Sequence, residues 1–270
     1  MIIIIEMIKM IDESLLLEQS NKFQDIRQLE KDYLLTLFLY EIYNEFNNDL
    51  IFKGGTSLKY FYNLNRFSED LDFSYKIKDN KSEINLVYKK IERAIGHINS
   101  QYSIEKVEHR GHKINNAVAG INFEIRVKGP LYNRLNHMEN IDIDISLRND
   151  IIFNPGIKYL MPAYIDIPVF PVPVMNINEI LAEKVVSIIE RDKMRDIYDL
   201  YFLFKFRKIK ADMAVINRKM ELRHGVFNKS EFLLKLDAAL ELRKWASELS
   251  YLIRPLPDNK EVVKFLHDRF

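Results

Sequence analysis

The chain has 270 residues, of which 47% are apolar and 29% charged. That is an ordinary composition for a soluble protein, with length for one large domain or two small ones. No cysteine is present, which excludes a disulfide framework, thiolate catalysis and a zinc–sulfur site, and agrees with a cytoplasmic setting. The net charge of +1 conceals an asymmetry: residues 205–270 hold 15 Lys and Arg against 9 Asp and Glu, and the rest hold 25 against 30. A basic end beside an acidic body suits an enzyme acting on nucleic acid; a lysine-rich helical surface explains the same numbers.

Residues 1–24 read as a short extended or helical arm. Glu6 and Lys9 interrupt its apolar start, so no targeting segment is expected. The longest apolar cluster, Tyr33 to Tyr40, is far below the roughly 18 residues of a membrane span. Residues 25–47 form a helix whose broad apolar face carries Ile26, Leu29, Tyr33, Leu34, Leu37, Phe38, Ile42 and Phe46.

The next stretch carries the chemistry. Leu50-Ile51-Phe52 reads as a strand closed by Lys53-Gly54-Gly55-Thr56, with a helical pattern through Leu58, Phe61 and Tyr62. Glycines let backbone N–H groups approach an anion closely, and a helix N-terminus favours negative charge. Arg66-Phe67-Ser68 then leads into a second strand, Leu71 to Tyr75, in which Asp70 and Asp72 flank Leu71. Residues two apart in a strand point the same way, so both carboxylates share a face. At about 4 Å and an effective dielectric near 20, two such charges repel by roughly 4 kcal/mol. One keeps its proton, or a cation sits between them. Magnesium suits an oxygen site of this kind, taking its other ligands from water and substrate phosphates. A phosphate cradle with a carboxylate pair suggests phosphoryl or nucleotidyl transfer.

A second helix is expected over 82–99, then strands at Tyr102–Glu108, Ala119–Val127 and Ile141–Leu147. The last alternates: Ile141, Ile143 and Ile145 face one way, Asp142, Asp144 and Ser146 the other. It reads as an edge strand with a solvated acidic face or as the carrier of a third carboxylate. Prolines 155, 162, 168, 171 and 173 make 151–175 irregular and permit edge strands alone.

Asn176 to Glu179 reads as a capping box opening a helix. Ile180, Leu181, Val185 and Ile188 share its apolar face, while Glu179, Glu183 and Glu190 are expected in water. Lys184 falls in the middle of the apolar face, with Arg191 two turns on. A lysine there needs an anion or an exit to solvent. In Arg195-Asp196-Ile197-Tyr198-Asp199-Leu200 the two aspartates share a helix face and Arg195 is spaced to pair with Asp199. Further helices are expected near 210–224, 230–250 and 259–269, with Ser230 as an N-cap and Asp258…Glu261 as a capping box. The six histidines, 97, 109, 112, 137, 224 and 267, show no metal-ligand spacing.

Gly55-Thr56, thirteen residues, then Asp70-Leu71-Asp72 resembles the signature of the DNA polymerase beta-like nucleotidyltransferase superfamily. The fuller string from Lys53 to Phe73, with Glu179-Ile-Leu-Ala-Glu-Lys184 and the Arg195–Leu200 motif, resembles the AbiEii/AbiGii toxin family within it. The resemblance implies an α/β (α+β) fold, with a mixed-sheet nucleotidyltransferase core at 25–175 and a helical part at 176–270 that completes the active site. It implies a nucleotidyltransferase toxin of a type IV toxin–antitoxin or abortive-infection (phage-defence) system. Such an enzyme moves a nucleotide from an NTP to an acceptor, in some members the 3′ end of tRNA, and has a cognate antitoxin and no membrane partner. It implies two magnesium ions, held by Asp70, Asp72 and a third carboxylate, Asp144 or, as second choice, Asp142. Lys53, Gly54, Gly55, Thr56, Arg66, Ser68, Lys184 and Arg191 are then expected at the nucleotide. Asp199 joins Lys184 among the catalytic groups, as a base or as an orienter of that lysine. On this view Lys184 has no internal partner, and Lys184→Met spares stability while weakening NTP binding. The rival readings are a nucleotidyltransferase for a small molecule or protein, and a catalytically silent binding module.

Overall fold

A computed structural model describes residues 11–76, 81–114, 117–223 and 225–270. Residues 1–10 of the expected arm, and His224, lie outside the described residues. The strands are β1 (Leu50–Lys53), β2 (Asp70–Tyr75), β3 (Ile104–Ile114), β4 (Ala117–Val127), β5 (Glu139–Ser146), β6 (Gly156–Leu160) and β7 (Phe170–Val174). The helices are α1 (Glu13–Leu17), α2 (Ile26–Glu45), α3 (Gly54–Tyr62), α4 (Lys81–Asn99), α5 (Tyr132–Leu135), α6 (Ile177–Glu190), α7 (Met194–Lys205), α8 (Met213–Leu222), α9 (Lys229–Asp237), α10 (Leu242–Leu249) and α11 (Asn259–His267). The seven strands form one sheet in the order β3-β4-β5-β2-β1-β7-β6. It is mixed: β2 with β5 and β1 with β7 run parallel, β4 antiparallel to β3 and β5. The α+β fold with a mixed sheet is the one expected from the sequence. By packing, residues up to 51, 69–147 and 157–173 group as one compact unit, and 52–68, 148–156 and 174–270 as a second.

In the first unit, α2 starts where Asp25 accepts the Arg27 N–H, and its apolar positions Leu29, Tyr33, Leu34, Leu37, Phe38 and Ile42 are all buried. The helix contacts α4, β5 and β2. Alternation decides the sheet's two faces. Leu71 and Phe73 on β2, Ile141, Ile143 and Ile145 on β5, and Ile121, Phe123 and Ile125 on β4 are buried. Each such side chain contributes about 1.5–3 kcal/mol when taken fully out of water. Their neighbours in sequence, the aspartates and Asn122, Glu124 and Arg126, turn to the opposite face.

The proline-rich stretch departs from expectation. β6 is an edge strand, but β7 lies inside the sheet between β1 and β6. N–H groups two residues apart point to the same side, so Pro171 and Pro173 remove donors on the side from which Met175 N–H reaches Phe52 O, at 3.0 Å. β7 and β1 accordingly share a single register pair, Phe52 with Val174. Proline is accommodated by shortening the ladder rather than by moving to an edge.

The second unit is mainly helical. α6 packs against α7, α8 and α9, and α7 against α10 and α11. Asp258 accepts the Glu261 N–H, as its capping box predicts. The helix expected over 230–250 is two helices, α9 and α10, parted by a 3-10 turn at Ala238–Leu240. Its cap is Asn228, which accepts the Glu231 N–H, and not Ser230. Among the described residues no helix is long and apolar enough to cross a membrane.

Candidate active site

In the first unit, β2 and β5 set four carboxylates side by side. Asp70 is in register with Asp142, and Asp72 with Asp144. Adjacent strands lie about 4.8 Å apart, so register partners on one face are close neighbours. The face continues onto β4, where Glu124 is in register with Asp142, and Asn122 with Asp144. Asn122 Nδ2 donates to Asp144 Oδ1 at 3.0 Å. Burial, then the negative charge of Asp70, pushes the Asp142 carboxyl above the usual range, with Glu124 and Asp144 adding and Lys31 opposing. A cleft of about 310 Å³ opens on this face, bounded by Lys106, Glu124, Arg126, Asn140 and Asp142 among others.

The donor set on this face is all oxygen and strongly anionic, which fits a hard divalent cation. Among the described residues no group of three or more His, Asp or Glu side chains is gathered closely enough to hold an ion unaided.

In the second unit, the chain leaves β1 through Gly54, whose φ of 74° is open to glycine at no steric cost. α3 starts at once, and Lys53 at its N-cap makes no side-chain capping hydrogen bond. The helix therefore begins with backbone N–H groups that no N-cap side chain satisfies. Gly55 is required for a second reason: a Cβ there would lie 2.5 Å from Arg66 Nη2 and 2.8 Å from Ser68 Oγ. Thr56 Oγ1 donates to Ser68 Oγ at 2.9 Å. The Gly-Gly turn thus rests on the Arg66–Ser68 segment.

Arg66 is itself committed. Its Nε and Nη2 donate to the two oxygens of Asp199 at 2.6 and 2.7 Å, and its Nη1 to Phe67 O at 2.7 Å. Lys184 corrects the sequence-based expectation that it lacks an internal partner. Its ammonium lies 2.8 Å from Asp196 and 2.7 Å from Asp199, and both carboxylates are fully buried. Arg191 donates to Asp196 at 2.8 and 3.1 Å, with its side chain half exposed. Burial pushes Asp199 and Asp196 up, but Arg66 and Lys184 on the first, and Lys184 and Arg191 on the second, outweigh it and hold both below the usual carboxylate range. Three cations and two anions interlock, and the Arg195–Leu200 motif is the buried anchor of that cluster. Asp199 here pairs with both Arg66 and Lys184.

Lys53 is buried and pairs with Glu183 at 3.1 Å. Glu183 and Glu179 were expected in water, and both are buried. Lys219 from α8 reaches Glu179 at 2.8 Å and Glu183 at 3.0 Å, and Glu179 also accepts the N–H groups of Ile152 and Phe153. The wheel assigned them to water because it assumes one buried face, whereas α6 is covered on several sides. Three partners escaped the sequence reading: Asn122, Glu183 and Lys219. Lys219 carried the same signal as Lys184, a lysine among the apolar residues Val215, Ile216 and Met220.

The comparisons with known proteins give the family and the fold. The family described as "Nucleotidyl transferase AbiEii toxin, Type IV TA system" matches residues 37–267. No curated protein matches the chain. Among solved structures it is similar to MenT4, a nucleotidyltransferase toxin from Mycobacterium tuberculosis, at 19% identity and a TM-score of 0.62 over 96% of this chain and 88% of that one. It is also similar to a putative nucleotidyltransferase from H. pylori, at 20% identity and a TM-score of 0.54 over 91% and 93%. JHP933 from Helicobacter pylori aligns at 20% identity and a TM-score of 0.52 over 91% and 90%. At such identities these structures speak for the fold, while the family match spans most of the sequence. The chain belongs to the AbiEii nucleotidyltransferase toxin family of type IV toxin–antitoxin systems.

Proposed function

We propose that the chain transfers a nucleotide from an NTP to RNA, at the 3′ end of tRNA, with magnesium held by Asp70, Asp72 and Asp144. The observation that carries this reading is the register of β2 on β5, which lines up Asp70 and Asp72 with a second pair of aspartates on one polar face. When bound, magnesium supplies charge neutralisation for the triphosphate and for the attacking oxygen. The acceptor hydroxyl oxygen forms a bond to the α-phosphorus, the bond to the β-phosphate oxygen breaks, and pyrophosphate leaves. The hydroxyl proton passes to solvent.

The chain's own groups do the positioning, which is most of phosphoryl-transfer catalysis. Gly54, Gly55 and Thr56, at the start of α3, offer backbone N–H groups to phosphate oxygens. Arg191 adds half-exposed positive charge. Lys53, Arg66, Ser68, Lys184 and Asp199 act on the nucleotide indirectly, by holding the turn and the cluster in shape. The net positive charge of residues 205–270 supports RNA over a small acceptor. A cytoplasmic enzyme with a cognate antitoxin follows from this reading.

The test is the fate of α-labelled NTPs with magnesium, total cellular RNA and a small-molecule extract. Label in RNA of tRNA size supports the proposal. Label confined to small molecules or protein would replace RNA with another acceptor, and no transfer with any NTP would favour the silent binding module.

A further inference from the structure

The polar face of the sheet reads as two rows across the strands. One row runs Glu124, Asp142, Asp70 and the other Asn122, Asp144, Asp72. The rows differ in one member: a carboxylate flanks Asp142 on β4, whereas an amide flanks Asp144 and donates to its Oδ1 at 3.0 Å. A neutral donor leaves the full charge of the carboxylate in place. It fixes one oxygen and presents the other in a set direction. In the Glu124 row the β4 neighbour adds repulsion and fixes nothing.

We infer that Asn122 is a positioning residue for the metal site: it orients Asp144 and so selects it, rather than Asp142, as the third carboxylate for a hard divalent cation. This rests on the metal-site reading above and goes beyond it by naming the residue that chooses between the two aspartates. Partners that orient metal-ligating side chains shift metal affinity or activity by about 10- to 100-fold when removed. The competing role is strand glue between β4 and β5, where the same hydrogen bond affects folding alone.

The experiment uses the full-length protein. Asn122→Leu removes the donor at similar size, and Asn122→Ser removes most of its reach with less bulk. Manganese binding in the presence of a non-hydrolysable NTP analogue is followed by electron paramagnetic resonance, beside melting temperature and kcat. Both variants should bind manganese about tenfold or more weakly and lose kcat to match, with KM for NTP and melting temperature near wild type. In an Asp144→Ala background, Asn122→Leu should have no further effect on manganese binding, because it acts through Asp144. Wild-type manganese affinity in Asn122→Leu, with affinity lost in Asp72→Asn, would overturn this inference and leave the proposed function standing. Wild-type affinity in Asp72→Asn as well would sink the metal site itself. Unfolding of both Asn122 variants would mark the contact as strand glue and likewise overturn the inference.

Discussion

Replacing Lys184 by methionine tests what the cluster between α6 and α7 is for. The ammonium sits 2.8 Å from Asp196 and 2.7 Å from Asp199, both wholly buried. Removing one partner from a buried ion pair costs about 3–5 kcal/mol, because a charge is left uncompensated. Two features moderate the loss. Asp196 keeps Arg191 and Asp199 keeps Arg66, and methionine retains an apolar stem of similar length. The expected cost is therefore near the lower bound, roughly 3 kcal/mol at pH 7. Its pH dependence has a definite sign. Both carboxyls are held below the usual range by their cations, against the effect of burial. A carboxylate depressed in the native state contributes stability that is present above its unfolded pKa and lost as pH falls toward the native one. Asp196 and Asp199 lose part of that depression with the lysine, so the difference between wild type and variant should be full at pH 7 and shrink below about pH 4. Urea midpoints at the two pH values measure it. An unchanged midpoint at pH 7, with NTP affinity lost, would refute the reasoning and return the triphosphate as the lysine's partner.

Gly55→Ala should destabilise by about 1–3 kcal/mol, since the added Cβ meets Arg66 and Ser68, and Arg66 is held in place by Asp199; a thermal melt equal to wild type would contradict this. Glu30 is buried, which pushes its carboxyl up to about 7 even though Leu131 N–H donates to it. With the native pKa above the unfolded one, its contribution is complete below the unfolded value and disappears as pH rises through about 7, a change of up to roughly 3 kcal/mol. Glu30→Gln should flatten the stability profile between these limits, and an identical slope in both proteins would argue against it.

The local parts of the fold were legible because they are written in periodicity. The alternation of Ile141, Ile143 and Ile145 against Asp142 and Asp144 gave β5 and its two faces, and the Gly-Gly turn with its spacing to Asp70 and Asp72 gave the motif. What the sequence withheld is pairing across distance. Asn122 sits in a visibly alternating strand, yet its meeting with Asp144 depends on the register of β4 on β5. Lys184 was recognisable as a lysine in need of an anion, and Asp196 and Asp199 as acids on one face. Joining them required the packing of α6 on α7. Glu179 and Glu183 were misplaced in water for the same reason, because Lys219 arrives from a helix some forty residues later. Pro171 and Pro173 were expected to confine their strand to an edge, but a one-pair ladder tolerates them inside the sheet.

Asp72→Ala bears most directly on the claim that the aspartate face holds a catalytic metal. The substitution removes one of two like charges in register on neighbouring strands, which lessens the repulsion on this face. Stability without magnesium should therefore hold or rise. Wild type and variant are incubated with α-labelled NTPs, magnesium and total RNA, alongside thermal melts of the metal-free proteins. The account predicts labelled RNA with the wild type, none with Asp72→Ala, and a melting temperature in the variant at or above that of the wild type. Equal labelling by a folded Asp72→Ala protein would contradict it.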